Sequence, residues 1–261
     1  MTIRPPAVAG SFYPDRPERL SAAVQGFLAE AETGLAPGPA KAVIAPHAGY
    51  RYSGPVAGRA FAVLGPGAAV ICRVVLIGPA HFVPIRGLAV PTVAAFRTPL
   101  GDVPLDRAAI EALDLPQVRL DDQPHAGEHA LEVELPFLQA VLGEFALVPL
   151  VVGDATPDEV AQVLDRLWDG PETLLVISSD LSHYEPYGRA REHDAATAAA
   201  IEALDEAALG PGDACGHLAI AGLLIESRRR GLGVRRLDLR NSGDTAGPKD
   251  GVVGYGAWAF C

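Results

Sequence analysis

The chain has 261 residues, of which 49% are hydrophobic and 20% charged, with a formal net charge of -11. This composition supports a sizeable core and excludes a disordered chain, and the acidic balance excludes nucleic acid or an anionic membrane as partner, since either needs a basic face. No apolar run reaches the ~18–20 residues of a membrane span, and Met1–Pro14 lacks the apolar stretch of a signal peptide, so the expectation is one cytosolic domain over residues 1–261.

The predicted elements run as follows. A helix covers about Pro17–Ala31, with Leu20, Val24, Phe27 and Leu28 on one face. A strand at 41–46 leads into the glycine-rich His47–Gly54, where Ser53 is placed to cap a helix to about Leu64. A strand at 73–78 runs out to His81, and short apolar runs at 87–90 and 146–152 read as further strands. Glu128–Val141 has a helical pattern, with Pro136 implying a kink or a late start. Thr156–Pro157–Asp158–Glu159 begins a helix that ends near Asp169–Gly170. Then come a strand at 173–179, helices at Arg189–Leu204 and Cys215–Arg230, and strands at 234–239 and 252–260. The alternation predicts an α/β fold, a single-domain α/β/α sandwich with a mostly parallel central sheet.

Three β-branched apolar runs end in histidine within a few residues: His47, His81 and His183. Such runs read as buried parallel strands. Ligands in open α/β sheets collect beyond the carboxyl ends of the strands, so the three runs predict one shared polar site of metal or proton chemistry. The strands that deliver His47 and His81 are expected to be neighbours. Either histidine might otherwise only hydrogen-bond at a turn. Asp180 and His183 are three apart just past a strand, the spacing of a carboxylate that orients an imidazole; Asp180 or Ser182 as a helix cap is the alternative. His129 and Glu132 lie one turn apart and can bind metal or be ordinary solvated charge. Asp244 is a turn residue by composition and also stands at a strand exit. His125 is expected in an exposed loop, His193 on the surface, and His217 as a cap or packing residue that can also pair with Cys215. Cys72, Cys215 and Cys261 form no C-x-x-C pair, so neither a disulfide framework nor a zinc ribbon is expected, and Cys72 is expected in the core. The sequence holds no P-loop, nucleophile elbow, G-x-G-x-x-G after a strand, or H-E-x-x-H.

Taken in order, Ala7–Pro14, Pro46–Tyr50, Ser53–Gly54, Gly78–His81, Glu128–Glu132 and Ser178–Tyr184 resemble the Memo family, which includes the AmmeMemoRadiSam system protein B. The resemblance implies an extradiol-dioxygenase-like fold and one transition metal, iron(II) or copper, with zinc as a further option. It implies His47 and His81 as ligands, His183 and Asp180 as acid–base groups, and Tyr13, Tyr50, His129 and Arg51 around the substrate. The cysteine that completes the metal site in animal members falls at Thr245, so Asp244 is the expected third ligand, or else a turn residue. The resemblance also implies radical-SAM and AMMECR1-like partners. The expected function is an oxygen- or radical-linked redox step. The alternatives are a peptide-binding module, with Arg51 and Arg86 for phosphate, and a metal-dependent hydrolase.

Overall fold

The computed structural model describes residues 2–31 and 40–261. In chain order the elements are β1 (Ile3–Arg4), α1 (Pro17–Ala31), β2 (Ala42–Ala45), α2 (Tyr50–Ala62), β3 (Arg73–Pro79), β4 (Leu88–Val90), β5 (Ala95–Thr98) and β6 (Gly101–Pro104). They continue with α3 (Arg107–Glu111), β7 (Val118–Leu120), α4 (Gln123–Ala126), α5 (Leu135–Leu142), β8 (Ala146–Val152), α6 (Pro157–Arg166), β9 (Thr173–Ser178) and β10 (His183–Glu185). The last five are α7 (Tyr187–Glu202), α8 (His217–Arg230), β11 (Val234–Asn241), α9 (Ser242–Thr245) and β12 (Val252–Phe260).

One large sheet has the order β10-β12-β2-β9-β3-β8-β4-β7, with β11 also paired to β12. Its centre, β2-β9-β3-β8, is parallel, while β12 and β4 join it antiparallel. The sheet is therefore mixed: its buried centre is parallel, β12 and β4 run against it, and the edge strand β7 runs parallel to β4. The central strands are buried along nearly their whole length, which is why they read as continuous apolar runs rather than as alternation. A small second sheet, β1-β5-β6, holds the N-terminal segment.

Helices cover both faces. Adjacent residues of a strand point to opposite sides. Ser178 at the end of β9 meets Ala130 and Glu134, just before α5, whereas Ser179 meets Gly216 at the start of α8. The α5 layer, which includes α1 and α2, and the α8 layer, which includes α6, therefore lie on opposite faces. None of the helices among the described residues is long and apolar enough to cross a membrane.

Two local expectations change, and one open alternative is decided. Helix α2 starts at Tyr50, with Gly49 at its cap. Tyr50 N–H bonds Phe12 O, and Ser53 turns its hydroxyl back to Ala48 O inside the first turn. The pattern at 128–141 takes the late start that Pro136 implied: α5 begins at Leu135, and the residues before it form a turn and a 3-10 turn at Glu132–Glu134. Cys72 is exposed, because β3 begins one residue later.

Candidate metal centre

The parallel register sets the geometry. Ala45 pairs with Ser178, and Ile177 with Ile77, so β2, β9 and β3 end level with one another. His47, Asp180 and His81 follow within a few residues of those ends. The strands of His47 and His81 are not neighbours, because β9 lies between them. Their side chains still meet across β9, with ring centroids 5.3 Å apart.

The third member is His129, from the turn before α5. It stacks on His81 at 4.8 Å and stands edge-on to His47 at 5.5 Å. His47, His81 and His129 each offer a ring nitrogen, and the three nitrogens lie within 4.8 Å of one another.

Buried hydrogen bonds orient the two strand-end imidazoles. His81 Nδ1 lies 2.8 Å from Glu128 Oε1, and its backbone N–H donates to Glu128 Oε2 at 2.6 Å. Glu128 also accepts from the N–H groups of His129 and Ala130, so one buried carboxylate shapes the turn and orients the ring. His47 Nδ1 lies 2.8 Å from Ser178 Oγ, and His47 N–H donates to Asp180 Oδ1 at 2.8 Å. A partner on Nδ1 fixes the tautomer and leaves Nε2 for a ligand. His129 Nδ1 is buried without a hydrogen bond; Glu128 Oε1 is 3.4 Å away in a geometry that makes none. Three imidazoles that bring ring nitrogens this close, two of them already held through Nδ1 by other partners, form a donor set that fits a transition metal.

Burial, and then the neighbouring imidazoles, push His47 well below the ordinary histidine range. Burial likewise lowers His129 and His183. All three are therefore neutral near pH 7, the form that binds metal. Burial raises Asp180 to about 7, against the hydrogen bonds it accepts from the backbone of His47 and Ala48.

The histidines open onto a cleft of about 560 Å³ walled by Phe12, Tyr52, Phe82, Tyr184 and Tyr255, with Asp180 and His183 also facing it. Tyr184 is 80% exposed and held at φ +59°, a backbone strain that costs a non-glycine residue on the order of 1–3 kcal/mol. Phe82 and His81 also wall a second hollow on the α8 side, which reaches Cys215 and His217.

Several expected site residues lie elsewhere. Asp244 does not line the cleft. Its Oδ1 accepts from Tyr187 Oη at 2.6 Å and its Oδ2 from Asn241 N–H, as part of the capping box of α9. Tyr13 and Tyr50 are buried beneath the N-terminal segment, with hydroxyls on Glu132 and on Val133 O. Arg51 lies by the hollow next to them and stacks over Tyr52. His125 is only 2% exposed and bonds Ala89 O. His193 is clamped between Glu185 and Asp213. Cys215 pairs not with His217 but with His47, its Sγ 3.4 Å from Nε2; burial raises this thiol to about 12. Glu128, Glu134, Ser178 and the aromatic walls were given no place among the expected site residues. Glu128 carried a signal as the residue next to His129, and Ser178 as a hydroxyl just before Asp180.

Such a histidine cluster at the ends of a parallel sheet is matched by a similarity that spans the chain: the model of the Memo-like protein family covers residues 4–259. The chain belongs to the Memo family. It is 37% identical to a MEMO1 family protein of Methanopyrus kandleri, over 98% of both chains. It is also 37% identical to one of Aeropyrum pernix, over 98% of this chain and 99% of that one. A MEMO1 family protein of Thermotoga maritima is 35% identical over 97% of each. The match to these Memo-family relatives thus runs over nearly the whole of each chain.

Proposed function

We propose that this Memo-family protein holds one transition-metal ion through His47, His81 and His129 and carries out an oxygen- or radical-linked redox step on a small molecule. The convergence of three ring nitrogens at the strand ends carries this reading. Iron(II) or copper, when bound, would supply a one-electron couple. Asp180, poised near neutrality and bonded to His47 N–H, holds or releases a proton at the cleft floor. His183 faces the same cleft as a neutral base. The aromatic walls narrow the cleft around them.

With histidine in place of the expected carboxylate, the donor set no longer favours iron(II) over copper or zinc, since imidazole suits all three. A zinc hydrolase would use the same ligands. No lysine or arginine lines the cleft among the described residues, so a phosphopeptide would find no counter-charge there.

The test is anaerobic titration of metal-free protein with iron(II), copper and zinc. Replacing His47, His81 or His129 with Ala is expected to weaken binding by more than the ~10–100-fold typical of losing an outer partner, while Asp244→Asn leaves it unchanged. Retention of full affinity in His129→Ala, or its loss in Asp244→Asn, would refute the triad. Reversible oxidation of the bound metal without loss of the ion separates the redox reading from the hydrolytic one.

A further inference from the structure

Glu134 is fully buried, and the metal-site reading leaves it without a task. Its Oε1 lies 2.7 Å from Ser178 Oγ, and its Oε2 has no hydrogen-bond partner. Burial pushes its carboxyl well above the usual range; Ser178 opposes the shift, and the neighbouring Asp180 adds to it. A buried carboxylate with no cation beside it is costly, and an orphaned polar atom of this kind calls for an explanation.

Ser178 supplies one. Its single hydroxyl proton is shared among three neighbours: Ala130 O at 2.7 Å, Glu134 Oε1 at 2.7 Å and His47 Nδ1 at 2.8 Å. A carbonyl oxygen only accepts. With Glu134 ionised, the hydroxyl proton goes to an oxygen. With Glu134 protonated, the carboxyl donates to Ser178 and Ser178 donates to Ala130 O. In both states His47 Nδ1 is left to donate to Ser178 Oγ, so Nε2 carries no proton and is free to accept from the Cys215 thiol 3.4 Å away or to bind a cation.

Glu128 does the same for His81 without an intermediary. Each strand-end imidazole is therefore backed by a buried carboxylate, one directly and one across a serine. Three neutral imidazoles bring no negative charge, so a dication among them would be a buried and uncompensated charge. Glu128 offsets one unit of it, and Glu134 offsets the other once the cation draws off the proton that burial keeps on its carboxyl.

We propose that Glu134, acting through Ser178, is a positioning residue that fixes the His47 tautomer and, with Glu128, supplies the negative charge a divalent cation in the histidine cluster requires. This rests on the triad reading above.

The experiment uses metal-free wild type, Glu134→Gln, Ser178→Ala and the double variant. Each is titrated anaerobically with iron(II) and with zinc(II), and its metal-free unfolding midpoint is measured. Glu134→Gln keeps the shape and removes the charge. Its metal affinity is expected to fall about 10–100-fold, while its metal-free stability equals or exceeds that of wild type, because burial already keeps Glu134 protonated without metal and a buried amide costs no more than that neutral acid. A packing role would lower both together. The double variant is expected to bind no more weakly than the weaker single variant, since both substitutions cut one path. Wild-type affinity in Glu134→Gln, a parallel loss of stability and affinity, or additive losses would each overturn the assignment. If wild type binds metal and Glu134→Gln binds it equally, only this inference fails. If wild type takes up no metal, the triad reading fails and takes this one with it.

Discussion

His125 shows how one buried imbalance shapes the behaviour of the protein. The ring is packed beside Phe96 and bonds Ala89 O through Nε2, while its Nδ1 has no partner. Arg4 lies close by, its guanidinium bonding His125 O and Glu128 O and pairing with Glu132 at 2.7 Å. Burial, reinforced by Arg4, lowers His125 to about 4. A base whose folded pKa lies below its unfolded value stabilises the fold above the unfolded value, near 6.5. That contribution is lost as pH falls toward 4. In all it amounts to about 3 kcal/mol, from roughly 1.4 kcal/mol per pH unit. His125→Gln, which keeps a donor for Ala89 O, is expected to flatten the fall in stability between these two pH values. Denaturant unfolding of both proteins across that range checks it; identical slopes would show that the acid sensitivity arises elsewhere.

At the level of elements, α1 and α2 approach so closely that only glycine fits between them. A Cβ at Gly58 would lie 2.6 Å from the Phe27 carbonyl oxygen, and one at Gly54 would lie 2.5 Å from the Phe27 ring. The ring can shift, but the backbone carbonyl cannot. Gly58→Ala gains about 1 kcal/mol of helix propensity, yet it is expected to lose a net ~1–3 kcal/mol to overpacking. A denaturant midpoint at or above that of wild type would show that the helices can separate at little cost. Element starts followed the same logic of contacts. The helical pattern at 128–141 was visible in the apolar spacing. So was the late start, since Pro136 stands in the first turn of α5; the turn before it was not, because Glu128 turns its carboxylate on the N–H groups of His81, His129 and Ala130. By contrast, Thr156 and Glu159 form the expected capping box, since both partners lie within four residues of sequence.

For the whole molecule, the centre links strand ends with a turn from another part of the chain, so metal binding is expected to stabilise the fold as a unit. A ligand that binds only the folded state at a hundredfold excess over its Kd adds about 2.7 kcal/mol. For a chain of this size that is a rise of roughly 5–10 °C in Tm. Differential scanning calorimetry with and without iron(II) checks it. His129→Ala is expected to abolish the rise and Asp244→Asn to keep it, and an unmoved Tm in wild type would count against a metal centre at these strand ends.

The sequence by itself determined the α/β class, the buried central strands, the family, and the placing of His47, His81, Asp180 and His183 just beyond strands. Those features rest on short stretches, where apolar runs, turns and caps act locally. Tertiary structure decided which of them meet. Strand order put β9 between β2 and β3, and the turn before α5 brought His129 onto His81. Asp244 was drawn instead into the cap of its own short helix by Asn241 and Tyr187. Ligand sets are fixed by distances between remote segments, and those distances follow from packing and hydrogen bonding across the fold, which no local pattern encodes.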